Sequence, residues 1–105
     1  MKNTSINFQW TEGEQEYKKT IDRQKMYSIF KGLAVGYSGD DNEISVKMVK
    51  DIIPCVDKIS ISKEYNLTQD IPMIFYQIGK ETKVLKIKRR HKIVWSILDR
   101  YCTLK

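Results

Sequence analysis

Residues 71–88 read IPMIFYQI, GKET, KVLKIK, and they decide the fold. The run at 71–78 is apolar at successive positions, the composition of a central strand buried on both faces. GKET, 79–82, sets a glycine between two β-rich runs and reads as a turn. KVLKIK, 83–88, follows as the returning strand. Upstream, Ile59 and Ile61 alternate with polar residues in DKISIS, 57–62, and KEYNLTQD between the two runs reads as a loop. The expectation is a three-stranded antiparallel meander at about 57–62, 72–78 and 83–88. Downstream, Ile93, Val94, Ile97, Leu98 and Tyr101 recur at helical spacing, so a final helix begins near His91 with one face on the sheet.

At the other end, Ile6, Phe8 and Trp10 alternate with Asn7 and Gln9, which marks a short strand. Four strands hold together better than three and an orphan, so this strand is expected to join the meander. Thr11 followed by Glu14 has the spacing of a capping box, and Tyr17, Ile21, Ile29, Phe30 and Leu33 continue at mostly helical spacing. They predict a helix, or two broken near Asp22, over about residues 12–34. GYSGDDN, 36–42, is a loop by composition. The next stretch fits two templates. Ile44, Val46 and Met48 alternate as in a strand, whereas Met48, Val49, Ile52, Ile53 and Val56 share a helical face. Pro54 ends or bends any helix, and a short helix stopping before it is the preferred reading. The expected class is α+β, one domain over 1–105: an N-terminal strand, a long helix or helical hairpin, the meander, and a C-terminal helix, with the helices on one face of the sheet.

With 105 residues there is room for one core. The apolar fraction of 41% beside 30% charged residues excludes a disordered chain. No apolar run approaches the roughly 18 residues of a membrane span, and MKNTSINFQW lacks the apolar centre of a signal peptide. A cytoplasmic protein with no membrane partner is expected. Cys55 and Cys102 stand far apart, and with His91 they fall short of the four ligands of a structural zinc site. Small buried or half-buried thiols are the simpler reading. Asp40, Asp41 and Glu43 in the loop read as turn formers and caps, not as metal ligands. No metal or other cofactor is expected.

The charge is unevenly spread. Residues 1–80 carry eleven Lys/Arg and eleven Asp/Glu, which cancel. Residues 81–105 carry eight basic residues against Glu81 and Asp99, the whole of the net +6. Charge concentrated this way favours a polyanion as partner.

Met73 to Trp95, MIFYQIGKETKVLKIKRRHKIVW, runs strand, turn, strand, basic cluster, aromatic. In this order it resembles the RelE/ParE family of bacterial toxins, small basic domains with a strand, a helical hairpin, an antiparallel meander and a C-terminal helix. The likeness rests on IFYQI as the family's apolar strand with a Tyr, on Lys88-Arg89-Arg90-His91-Lys92 followed by Val94-Trp95, on the INFQWT opening, and on DKISIS. It covers about residues 5–35 and 57–103. The resemblance implies a toxin that binds RNA and cleaves it as a metal-independent endoribonuclease, neutralised by an acidic antitoxin segment. That reaction needs an acid or base near neutrality and positive charge on the phosphorane. His91 supplies an imidazole and Arg90 a guanidinium, the two candidate catalytic groups. Arg89, Lys86, Lys88, Lys92 and Lys58 are candidate phosphate contacts. Trp95 is a candidate stacking platform, although its place on the apolar side of a helix favours core packing. The alternative is a non-catalytic module that binds nucleic acid or a host protein, for example a phage or mobile-element accessory protein inhibiting a host factor.

Overall fold

The computed structural model describes residues 4–12, 14–62, 73–88 and 90–102. The elements in chain order are β1 (Ser5–Glu12), β2 (Gln15–Asp22), α1 (Arg23–Gly36), α2 (Asp41–Lys47) running into a π-helical turn (Met48–Ile52), β3 (Lys58–Ser62), β4 (Met73–Ile78), β5 (Glu81–Lys86) and α3 (Lys92–Cys102). The five strands form one sheet in the order β2-β1-β3-β4-β5. The class is α+β as expected. The loop expected at KEYNLTQD lies outside the described residues.

The meander is present as β3, β4 and β5 in antiparallel register, with Ser60 opposite Phe75 and Phe75 opposite Val84. The turn is tighter than GKET suggested: Glu81 and Thr82 already belong to β5, leaving Gly79 and Lys80 as the loop. Gly79 has φ +60. A glycine in the first place of a two-residue loop suits a type II′ hairpin, whose twist matches the strands. Asp57 fastens this turn to the start of β3 by accepting from the Gly79 N–H at 3.0 Å.

Two expectations are corrected. The helix expected over 12–34 begins only at Arg23, and Gln15–Asp22 is a strand paired with β1 from Ser5↔Asp22 to Glu12↔Gln15. The helical reading used Tyr17 and Ile21, but a separation of four residues is one helical turn and also two strand repeats. The hairpin satisfies the backbone edge of β1 and stacks Tyr17 on Trp10 at 5.5 Å between ring centroids. Asp22 then caps α1, its carboxylate accepting from Lys25 N–H at 3.2 Å. The sheet is also mixed, not purely antiparallel, because β1 runs parallel to β3. The chain leaves the hairpin and returns through α1, α2 and the π turn, the kind of crossover that parallel neighbours require. For the ambiguous stretch the structure takes the helical alternative, ending at Ile52 ahead of Pro54.

The helices lie against one face of the sheet. Met26 and Phe30 of α1, Ile44 and Met48 of the α2 segment, and Val94 and Leu98 of α3 join Ile6, Phe8, Ile59, Ile61 and Ile74 in one core. Each fully buried side chain of this size contributes about 1.5–3 kcal/mol. The connections are fixed by polar contacts. Asn42 Nδ2 donates to the carbonyls of Ala34 and Tyr37, closing the C-terminal end of α1. Arg23 donates to the Ser5 and Ile53 carbonyls, tying β1 to the end of the π turn. Cys55 is a half-buried free thiol. No described helix is long and apolar enough to cross a membrane.

Candidate nucleic-acid interface

Alternation places every second strand residue on the face away from the helices, and the register orders those residues into rows. Thr20, Asn7, Lys58, Gln77 and Thr82 form one row across the five strands. Lys18, Gln9, Ser60, Phe75 and Val84 form the next. Beyond it lie Thr11 and Glu16 at one side and Lys86, opposite Met73 in register, at the other. No described element covers these rows: Asn7, Lys18, Thr20, Thr82, Val84 and Lys86 are exposed, and Gln9, Lys58, Ser60, Phe75 and Gln77 half-buried.

Glu16 is the one acid among the described residues of these rows, and it accepts a hydrogen bond from Gln9. Against it stand Lys18, Lys58 and Lys86. Two shallow depressions share the face. One, of ≈ 370 Å³, includes Asn7, Gln9, Lys18 and Lys58 in its lining, and the other, of ≈ 160 Å³, includes Lys58, Ser60, Phe75 and Thr82. Lys58 borders both.

The β5–α3 junction is organised differently. Ile87 is buried between exposed Lys86 and Lys88, and Arg90 and Lys92 are exposed. His91 is 3% exposed. Its Nδ1 accepts from the Lys88 N–H at 2.9 Å, which leaves the proton of a neutral ring on Nε2. Nε2 is buried and has no hydrogen-bond partner among the described residues. The Lys88 carbonyl in turn accepts from the His91 N–H at 3.0 Å and from the Trp95 indole N–H at 3.2 Å. His91 and Trp95 thus fix the backbone of Lys88, and Trp95 is half-buried and packed against the core. Asp41, only 3% exposed, reaches across from α2 and accepts from Val94 N–H in the first turn of α3 at 2.8 Å. Of the three acids expected as turn formers and caps, Asp41 thus caps a helix distant in sequence, whereas Asp40 makes no side-chain cap bond.

The predicted site residues therefore divide. Lys58 and Lys86 share the open face. Lys88, Arg90 and Lys92 are exposed at the junction beyond the end of β5. His91 and Trp95 are turned to structural contacts, and Arg89 lies outside the described residues. Among the described residues, no three His, Cys, Asp or Glu side chains gather closely enough to hold a metal ion.

Lys18 and Phe75 escaped the sequence reading. Lys18 was hidden inside a helix assignment, because Lys18, Lys19 and Thr20 are polar in succession and Tyr17 and Ile21 alone fit either period. Phe75 was hidden by an apolar run read as buried on both sides. The signal against that reading was next door: Lys58, Ser60 and Ser62 alternate with Ile59 and Ile61, so one face of the neighbouring strand was polar. No family model, curated protein or solved structure matches this chain. The RelE/ParE resemblance accordingly rests on the sequence pattern alone.

Proposed function

We propose that this domain is a non-catalytic nucleic-acid-binding module that uses the open face of its sheet, with Lys88, Arg90 and Lys92 extending the basic surface past the end of β5. The observation that carries the reading is the face that no described element covers: its three rows hold three lysines, one acid already engaged by Gln9, and otherwise neutral hydrogen-bonding or apolar side chains, and Asp22 in the next row is engaged as the cap of α1. Such a surface attracts phosphates by charge and offers donors and acceptors to what the phosphates carry.

Binding is favoured over cleavage by the position of His91. A general acid or base must come within hydrogen-bond reach of the proton it moves. The His91 ring is buried, and one of its nitrogens is occupied by the Lys88 backbone. The open face holds no other imidazole, since the chain has one histidine.

The test is fluorescence anisotropy with labelled RNA and DNA oligonucleotides at about 50 and 200 mM salt. The three open-face lysines alone account for a salt slope of roughly −2 on a single strand, an affinity loss of at least about twentyfold across that interval. The triple variant Lys18→Gln, Lys58→Gln, Lys86→Gln should bind more weakly, with a salt slope shallower by roughly 2, while keeping its circular dichroism. RNA recovered from the mixture should be intact. A triple variant that binds like the parent removes the open face as the interface. RNA cleavage that disappears in His91→Ala restores the nuclease reading.

A further inference from the structure

Phe75 does not fit a surface that recognises phosphates alone. It stands on the open face of β4, one strand in from the edge, between Ser60 on β3 and Val84 on β5. Val84 is 48% exposed. A phosphate gains nothing from an aromatic ring with an aliphatic neighbour, whereas a nucleobase presents a flat π-face to it.

The lysines nearest the ring are arranged around it. Lys58 pairs with Gln77, two residues from Phe75 toward one end of β4, and stands on β3. Lys86 pairs with Met73, two residues toward the other end, and stands on β5. The register therefore puts Lys58, Phe75 and Lys86 on one diagonal across three adjacent strands, with the aromatic ring between the two cations. Each diagonal step is about 7–8 Å, within the reach of a flexible lysine. A strand laid along this diagonal meets a cation, a ring and a cation in turn, which matches phosphate, base and phosphate.

A duplex cannot use this arrangement. Its bases are stacked inward, and their edges are reached through grooves by elements that project into them, such as a helix or a two-stranded ribbon. A residue on an interior strand of a five-stranded sheet, flanked by β3 and β5, does not project. We infer that the open face binds single-stranded nucleic acid, with an unpaired base stacked on Phe75 and the flanking phosphates held by Lys58 and Lys86. This deepens the proposed function and rests on it.

Three probes of about ten nucleotides, within the site sizes of roughly 4–16 known for single-strand binders, separate the two claims: a single strand, the same sequence as a blunt duplex, and an oligonucleotide of abasic sites with the same phosphates. Each is titrated against the parent, Phe75→Leu, which keeps apolar bulk and removes the ring, and Phe75→Trp, which keeps a ring. The parent should bind the single strand about tenfold or more tighter than the abasic probe, the factor expected from one stacked base. Phe75→Leu should lose that preference and bind the abasic probe as the parent does. Phe75→Trp should retain it, and its added indole fluorescence should be quenched by the single strand but not by the abasic probe. Both RNA and DNA strands are run, and either sugar satisfies the inference. Duplex binding as tight as single-strand binding, or Phe75→Leu binding the single strand like the parent, overturns the inference and leaves the lysine interface standing. Failure of every probe to bind at low salt overturns the nucleic-acid reading itself. If Phe75→Leu loses its circular dichroism, the quenching in Phe75→Trp decides.

Discussion

Removing the Asp41 carboxylate should detach the first turn of α3 from α2. Asp41 is 3% exposed and accepts from Val94 N–H at 2.8 Å. In Asp41→Ala that N–H is left buried without an acceptor, and the helix loses a cap and a favourable charge at its N-terminal end. Losing a cap costs about 1 kcal/mol and stranding a buried donor about 1–3 kcal/mol. The two overlap, so the expected loss is about 2 kcal/mol. For a domain of this size 1 kcal/mol moves Tm by roughly 4–8 °C, which makes the shift about 8–16 °C. Asp41→Asn keeps an oxygen acceptor and removes only the charge, so its loss should be near 1 kcal/mol. Asp40→Ala is the control, because Asp40 is exposed and makes no side-chain cap bond. It should stay within about 0.5 kcal/mol of the parent. Thermal melts followed by circular dichroism, with urea titrations for the free energies, measure all three. If Asp41→Ala melts alongside Asp40→Ala, the α2–α3 bridge carries no stability and the argument from burial is wrong.

His91→Ala should destabilise the domain by about 2 kcal/mol, through the lost Lys88 contact and the space left in the core. Its oligonucleotide affinity should stay within about threefold of the parent, and a tenfold loss in the folded variant would return His91 to the binding site. Lys58→Gln should make the salt slope for single-strand binding shallower by about 0.7, one phosphate contact's worth; an unchanged slope places Lys58 outside the interface. Gly79→Ala should cost about 1–2 kcal/mol although the added methyl meets no atom within 4 Å, because φ +60 is strained for an L residue. Gly79→Asn should cost less than Gly79→Ala, and equal urea midpoints for the two would show that the turn relaxes.

Lysine placement separates what was legible in the sequence from what was not. Linear charge pointed to residues 81–105, and that segment supplies Lys86, Lys88, Arg90 and Lys92 to the surface. It also contains Lys83, which pairs in register with Tyr76 and so sits on the helix side of the edge strand, close to Glu81 at 3.9 Å. Two of the three cations on the open face, Lys18 and Lys58, come from the part of the chain whose charges cancel. Net charge along a sequence has no direction, whereas a strand sends neighbouring side chains to opposite faces.

The sequence by itself determined the elements whose apolar spacing fits one repeat: the first strand through Ile6, Phe8 and Trp10, the strand through Ile59 and Ile61, and the last helix through Ile93, Val94, Ile97 and Leu98. The unperiodic apolar run at 71–78 was placed as a strand by its length and the GKET turn, which left its two faces undistinguished. Tertiary structure decided the rest. Tyr17 and Ile21 satisfy helix and strand equally, and pairing with the free edge of β1 chose the strand. The parallel contact of β1 with β3 required the crossover to be complete. His91 looked like a reactive group while its surroundings were unspecified, and α3 closing on the core buried it against the backbone of Lys88. Phe75 looked like a core residue until the helices settled on the opposite face and left its ring half-exposed. The β1–β3 contact and the seating of the helices join segments far apart in the chain, where local spacing carries no information; the β1–β2 hairpin and the His91–Lys88 contact are local, but side-chain spacing alone does not reveal a backbone pairing or a burial.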